Sequence, residues 1–312
     1  MTIQIFTPMF DSFDQSVLGT INTGSANLIS LISPLAAAGF SVYVLLVTLS
    51  YWRGSNDQPI VDFFLRMVGW AAVLTAGMNI GYYSEYVVPF FNGVGDDIAQ
   101  ALTGSASSAT ALDTLLNTYL NAILNLWQGV TLSLGSIGLM LEAAALTFCT
   151  ILAAVPFLGI AAAYIILAKF ALGLLLALGP MFVVAALFPA TRKFFDAWVG
   201  QCLNYAFLTA LFAAAGAIEV NFATGILPSA FTPDQLVLTW TLEFKILSMG
   251  IVFLFVSLNL PSLASSLAGG VGISSMVGKV SGAAGMAAAA FALMKGRRGG
   301  GGQAPGGSMS GA

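Results

Sequence analysis

The chain has 312 residues, of which 58% are hydrophobic and only 7% are Asp, Glu, Lys or Arg, and its mean hydropathy is +0.92. A soluble globular domain carries roughly 25% charged residues, so this composition excludes that class and predicts a polytopic membrane protein. The net charge is −3 and the chain has no histidine, which removes the usual general base and metal ligand of neutral-pH chemistry.

The first charges along the chain are acidic, and the first basic residue follows an apolar run. Asp11 and Asp14 are the only charges before Arg53. Segment 1–28 is predicted to contain a short amphipathic helix that lies at the outer membrane surface or docks on a partner. The first span is predicted at about 28–52, with Arg53 as its cytoplasmic anchor, so the N-terminus is expected outside the cytoplasm.

A second span is predicted at about 64–88, so that 29–89 contains the first two transmembrane helices. Gly77 and Gly81 are spaced as a GxxxG pair. In membranes such a pair permits two helices to approach closely, and we expect these glycines to pack helices together.

Segment 90–128 is the first long polar segment, and it contains no basic residue. Apolar residues at helical spacing over 112–127 predict an amphipathic helix within it. We place the segment outside the cytoplasm, either as an ordinary solvated loop or as a docking surface for partners.

Segment 129–190 is almost entirely apolar and is interrupted by prolines and two charges. Glu142 and Lys169 each cost roughly 2.5–3.5 kcal/mol in a membrane helix. They are expected at a channel wall or subunit interface, or alternatively at an interfacial position or in a structural ion pair. Pro180 either breaks the helix to shape a conduit or only kinks it. One net crossing with a broken or re-entrant segment is predicted.

Arg192 and Lys193 form the next basic loop and anchor it in the cytoplasm. The following span is predicted at about 197–220. Trp198 beside the basic loop is expected in the interfacial aromatic belt or at a specific contact. Asn204 is expected to form a hydrogen bond between helices, worth ~0.6 kcal/mol.

The last span is predicted at about 244–263, which completes the transmembrane region 129–263. The tail 264–312 is rich in Gly and Ala and is placed in the cytoplasm. Gly278 and Gly282 offer a small-residue face for packing in a homo-oligomer. The fold class is therefore an all-α polytopic transmembrane protein with about five net spans.

Four stretches in the C-terminal half form a recognisable signature. They are AKFALGLLLALGPMF at 168–182, LFPATRKFFDAW at 187–198, QCLNY at 201–205 and LPSLASSLAGG at 260–270. This signature resembles that of the TrbL-type polytopic inner-membrane proteins of type IV secretion systems, the sixth component of the VirB series. The similarity in motifs covers about 160–270, and before that it extends only to the architecture.

The resemblance implies a structural channel component in a bacterial inner membrane, with a periplasmic N-terminus, a central periplasmic loop and a cytoplasmic C-terminus. The implied partners are the minor and major pilins, a bitopic inner-membrane scaffold, the secretion ATPases, and a translocated DNA–protein or protein substrate. No phosphate-binding loop and no catalytic motif occurs in the sequence, so neither an enzyme nor a cofactor is predicted. The alternative function is a secondary transporter of a small solute, although no internal repeat supports it.

Overall fold

A computed structural model of the chain describes residues 3–53, 59–128, 130, 137–227 and 241–268. All regular structure in these ranges is helical, which confirms the all-α prediction. The helices are α1 (Phe6–Trp52), α2 (Pro59–Met78), α3 (Ile80–Tyr82), α4 (Val88–Thr103), α5 (Ser108–Gln128), α6 (Ile137–Ala185), α7 (Arg192–Ile226) and α8 (Thr241–Leu267). A π-helical turn, Tyr83–Val87, joins α3 to α4.

Four of these helices, α1, α6, α7 and α8, are long and apolar enough to cross a membrane. A bent pair, Phe63–Met78 with Ile80–Thr103, gives a fifth candidate span and bends by 78°. The prediction of about five spans with one broken apolar segment is therefore confirmed. The break lies at Asn79 in the second span, where the Asn79 side chain accepts a hydrogen bond from the Gly81 amide.

The segment in which the sequence predicted the break is instead continuous over its described part. Helix α6 runs through both Pro156 and Pro180 for 49 residues. A proline removes one backbone hydrogen bond and strains the turn before it, but a membrane helix tolerates this where a neighbouring helix satisfies the freed carbonyl. Prolines and charges in 129–190 were thus insufficient grounds for a re-entrant segment.

The amphipathic segment 1–28 and the first span are also one element, because α1 continues without interruption for 47 residues. At 1.5 Å per residue, α1 and α6 are each roughly 70 Å long, more than twice the ~30 Å hydrocarbon core of a bilayer. Both helices must therefore either extend beyond the membrane or cross it at a steep tilt.

Contacts between the helices fix the direction of each span. Helix α6 runs parallel to α1 and α8 and antiparallel to α2 and α7. Along α6, Gly173 lies against Val17 and Ala177 against Gly24 of α1, while Ala153 lies against Gly250 and Phe157 against Phe253 of α8. For α7 the pairs are Leu175 with Trp198 and Tyr164 with Phe212. For α2, Gly77 lies against Val183, and Trp70 and Phe188 both contact the ring of Tyr43. The five candidate spans therefore alternate in direction along the chain, as five successive membrane crossings require.

The start of α1 is capped by a side chain of α5. The N-cap residue Ile5 provides no capping hydrogen bond of its own. Instead the Asp113 carboxylate accepts hydrogen bonds from the amides of Ile5, Phe6 and Thr7 at 2.9–3.0 Å, and from the Thr7 hydroxyl at 2.6 Å. The first amides of a helix have no intrahelical partner, so Asp113 stabilises α1 and fastens it to α5.

These hydrogen bonds determine the ionisation of Asp113. Burial alone would raise the pKa of this carboxyl, but the Thr7 hydroxyl and the three backbone amides outweigh burial and hold its pKa below the usual value. A carboxyl with a lowered native pKa stabilises the fold above its unfolded-state pKa, and this contribution is lost as the pH falls through the native pKa.

We predict that Asp113→Asn weakens the N-terminal cap of α1. The amide keeps one acceptor oxygen but leaves two of these four donors without an acceptor. Such a loss costs ~1 kcal/mol, which corresponds to about five-fold faster amide exchange. Hydrogen–deuterium exchange should show this increase at residues 5–7 at neutral pH, and it should show a smaller difference between variant and wild type in acid. Asp97→Asn, at an exposed acidic position of α4, is the control, and an equal effect there would contradict the assignment.

Candidate functional site

An ion network around a buried lysine joins three helices. The Lys169 ammonium donates to Asp14 Oδ2 at 2.6 Å and to Asp96 Oδ2 at 3.2 Å. Only 9% of the Lys169 side chain is exposed. The other oxygen of Asp96 accepts hydrogen bonds from the Ser108 amide and hydroxyl at 2.9 and 2.7 Å. The network therefore connects α1, α4 and α6 with the N-terminus of α5.

The two acids in this network explain how a lysine is tolerated in an apolar helix. An unpaired buried charge is strongly destabilising, whereas a paired and hydrogen-bonded charge is not. The sequence identified Lys169 as a charge that is energetically unfavourable in an apolar helix, but it identified neither Asp14 nor Asp96 as its partner. Each acid lies more than 70 positions away along the chain, and no local spacing reveals such a pair.

Pro180 shapes a second polar contact on α6. Because proline has no amide hydrogen, the carbonyl of Leu176 has no helical partner. The Tyr83 hydroxyl donates to this carbonyl, and the Trp198 indole donates to the neighbouring Leu175 carbonyl at 2.8 Å. A side chain of the π-helical turn thus satisfies the carbonyl freed by Pro180, and a side chain of α7 binds the neighbouring carbonyl.

Trp198 consequently lies in the interior and not in a lipid-facing aromatic belt. Its side chain is 3% exposed and packs against the rings of Phe91, Phe182 and Phe195. Gly179 permits this packing, because a Cβ there would meet the Tyr83 hydroxyl and lie 2.9 Å from Cζ2 of Trp198. Sequence reasoning named Pro180 and Trp198 but missed Tyr83 and Gly179.

Two further polar groups are buried on α7. The Asn204 side chain is fully buried, and within the described ranges neither its oxygen nor its nitrogen has a hydrogen-bond partner. Glu219 is also fully buried, and one of its oxygens accepts a 2.6 Å hydrogen bond from the Tyr119 hydroxyl of α5. An unsatisfied buried polar group costs roughly 1–3 kcal/mol. The hydrogen bond between helices that the sequence predicted for Asn204 is therefore not formed with any described residue.

The remaining predicted residues are dispersed. Gly77 contacts Val183 of α6 in the same chain, and the break at Asn79 separates it from Gly81, so the two glycines do not form one continuous face. Glu142 is half-buried on α6, far from Lys169 along the helix.

The predicted topology anchors Arg53, Arg192 and Lys193 are exposed at helix ends. Gly278 and Gly282 lie outside the described residues. Across the described part of the chain, no group of three or more His, Cys, Asp or Glu side chains could hold a metal ion.

Comparison with known proteins gives one consistent family. The TrbL/VirB6 plasmid conjugal transfer protein family matches residues 40–260. The type IV secretion system protein VirB6 of Bartonella henselae is 27% identical over 277 residues, covering 85% of this chain and 81% of that protein. VirB6 of Bartonella quintana is 26% identical over the same shares. VirB6 of Brucella abortus is 22% identical over 68% of this chain and 64% of its own length.

We predict that Gly179→Ala destabilises the protein by about 1–3 kcal/mol, the usual cost of overpacking a close-packed interior. The matched control is Gly159→Ala on the same helix, where a Cβ would meet no atom within 4 Å and alanine favours the helix by up to about 1 kcal/mol. Thermal unfolding of both purified variants in detergent provides the measurement. Equal stability of the two variants would show that the contact with Tyr83 and Trp198 is not restrictive.

We also predict that Lys169→Met destabilises the protein by up to about 3–5 kcal/mol, because it leaves two partly buried carboxylates close together without a cation. Adding Asp14→Asn and Asp96→Asn to this variant should restore much of the stability, since no uncompensated charge then remains. Lys245→Met, at an exposed lysine of α8, is the control. Denaturant titration measures the free energy of unfolding of all three variants. If the triple variant is no more stable than Lys169→Met, the unpaired charges are not the cause of the destabilisation.

Proposed function

This chain belongs to the TrbL/VirB6 family and is a multi-pass inner-membrane component of a type IV secretion system, and we propose that it is a structural part of the secretion channel. In this role it contributes to the path of the translocated DNA–protein or protein substrate and to assembly of the pilus or its stalk. The observation that carries the proposal is the family match over residues 40–260. The bundle of five alternating candidate spans agrees with it.

The proposed orientation has a periplasmic N-terminus and a cytoplasmic C-terminus. The connections from α1 to α2 and from α6 to α7 lie at the same end of the bundle, because α1 and α6 run parallel. Arg53, Arg66, Arg192 and Lys193 are at this end. Short loops rich in Lys and Arg remain in the cytoplasm, so the charges support this orientation.

The surface proposed to receive partners is at the opposite end, on α5. This helix is amphipathic, and its buried face packs against α6 and α7. Leu124 and Trp127 remain exposed on it, and segment 90–128 contains no basic residue. Exposed apolar residues outside a candidate span favour contact with another protein. We assign this surface to the minor pilin and the other periplasmic components.

We propose that the chain forms a homo-oligomer, because its long helices expose extended apolar surface. Apolar side chains are exposed along much of α6, from Leu141 near its start to Met181 near its end. An untilted helix of this length cannot be covered by a bilayer alone. Neighbouring copies of the chain would cover the part of this apolar surface that the bilayer does not reach. Oligomerisation through the C-terminal Gly/Ala-rich tail stays a prediction.

The experiment removes the gene for this chain from a host that carries the complete secretion gene cluster. Substrate transfer should fall below detection and return with the wild-type gene, because a channel component has no substitute. Unchanged transfer without the gene would refute the proposed function.

A photo-crosslinking residue at Leu124 should capture a pilin or another secretion component of the same cluster, identified by mass spectrometry. The matched control position is Phe194, which is similarly exposed but lies at the basic end. Capture of pilin from Phe194 and not from Leu124 would refute the proposed orientation.

A further inference from the structure

A groove of about 520 Å³ lies between α7 and α8. It extends along α7 from Leu211 to Ile226 and along α8 from Leu260 to Lys245, which makes it roughly 22 Å long at 1.5 Å per residue. The two helices are antiparallel, so Ile226 and Lys245 are at the same end of the groove. The described residues that line it belong neither to the ion network nor to the contacts around Pro180.

Small side chains on α7 keep this groove open. Ala214 and Ala215 line it, and Ala215 is only 5% exposed, so it lies at the base. The side chains of Ile218, Phe222 and Val252 also line the groove but are more than half exposed, so they stand at its edges. The groove is therefore a narrow slot with a base of alanine and a bulky apolar rim.

The length of α8 places this groove in the hydrocarbon of the bilayer. Helix α8 has 27 residues and is a candidate span, and every stretch of about 20 residues that could cross the membrane within it contains 248–260. The groove therefore faces lipid along most of its length. At roughly 22 Å it is also longer than one leaflet, which is about half of a ~30 Å core.

The polar side chains of the groove are confined to one end. Among the described residues that line it, Lys245 and Ser248 alone have polar side chains, and they are one helical turn apart. The Ser248 hydroxyl donates to the Lys245 carbonyl at 2.9 Å, so α8 itself satisfies it. A ligand that matches this groove has a long apolar chain and a polar group at one end.

Lys245 is a cation without a described partner. It is the only basic residue in 194–278, and its ammonium group forms no ion pair with any described residue. Glu243 is two positions away, and residues at this spacing do not face each other on a helix. Glu243 instead interacts electrostatically with Cys149 of α6. A lysine at the end of a span extends its ammonium group to the head-group region.

The size and rim of the groove favour an acyl chain over a helix of another protein. A helix about 10 Å across and 22 Å long occupies roughly 1,700 Å³, more than three times the volume of the groove. Membrane helices also associate where small residues let their backbones approach, whereas Ile218, Phe222 and Val252 hold a second backbone away. Pockets of about 300–1,000 Å³ are typical of small-molecule ligands.

We propose that this groove binds one acyl chain of a phospholipid whose phosphate lies beside Lys245. The apolar groove supplies most of the binding energy, because an ion pair with an exposed lysine contributes little. Lys245 determines which end of the lipid lies where, and it assigns the lipid to the leaflet opposite Arg192 and Lys193. The bound chain fills the space that the alanines leave and joins α8 to α7.

The test counts the phospholipid that stays bound to the full-length protein after it is exchanged into fresh detergent, using native mass spectrometry. The wild type should retain one phospholipid per chain. Ala214→Phe fills the groove and should reduce this retention about ten-fold, because the acyl chain loses its apolar contacts. Ser248→Phe fills the groove from α8 at an exposed position, where folding is not at risk, and it should also reduce retention.

Ala217→Phe and Ser262→Phe are the matched controls. Ala217 is half-buried like Ala214, Ser262 is exposed like Ser248, and neither control position lines the groove. Both controls should retain lipid as the wild type does. Loss of all lipid from the wild type, full retention in the two groove variants, or equal loss in the controls would each overturn the proposal.

A second comparison tests the position of the phosphate. Lys245→Gln should reduce retention about three-fold, since an exposed ion pair is weak, whereas Lys245→Arg should keep the wild-type level. Lys193→Gln at the other end of α7 is the control and should have no effect. Unchanged retention in Lys245→Gln would refute a phosphate beside Lys245.

Photo-crosslinking in intact cells distinguishes the acyl chain from other occupants. A photo-reactive residue at Val252, on the rim of the groove, should form an adduct with phospholipid, identified by mass spectrometry. An adduct with another protein or with a second copy of this chain in place of phospholipid would refute the lipid site.

Discussion

The pairing of Lys169 with Asp14 and Asp96 is the interaction on which the arrangement of the bundle depends. A charge in an apolar helix is tolerated only when a partner is close, so Lys169 restricts where α1 and α4 can lie against α6. Asp96 also holds the start of α5 through Ser108. One lysine thereby sets the register of helices that are far apart in the chain.

Backbone groups that a helix cannot satisfy are completed by side chains from other helices. Asp113 of α5 caps the amides at the start of α1. Tyr83 donates to the Leu176 carbonyl that Pro180 leaves free on α6, and Trp198 donates to the carbonyl beside it. The carbonyls of α6 lie in a candidate membrane span, where they have no water to bind. Such contacts give the bundle a specificity that packing of Leu, Ala and Phe alone does not provide.

The two ends of the helical bundle differ in charge and in exposed surface, as expected of a component that connects two compartments. One end presents the exposed basic residues Arg53, Arg192 and Lys193, while the other presents an amphipathic helix in a segment without basic residues. Between them, helices about 70 Å long exceed the thickness of a bilayer. Helices of this length either extend beyond the bilayer or cross it at a steep tilt, and both arrangements agree with the proposed part in a secretion channel.

The sequence by itself determined the membrane class, the number of spans and the family, because composition, apolar run length and the signature around 168–205 are local properties. It also identified Lys169, Pro180 and Trp198 as residues that need an explanation. Only the tertiary structure supplied the partners of these residues, since each partner is distant along the chain. It also decided that α6 is continuous and that the second span bends at Asn79. The effect of a proline such as Pro180 depends on the groups that the fold brings to the carbonyl it frees, as the Tyr83 hydroxyl is brought to Leu176.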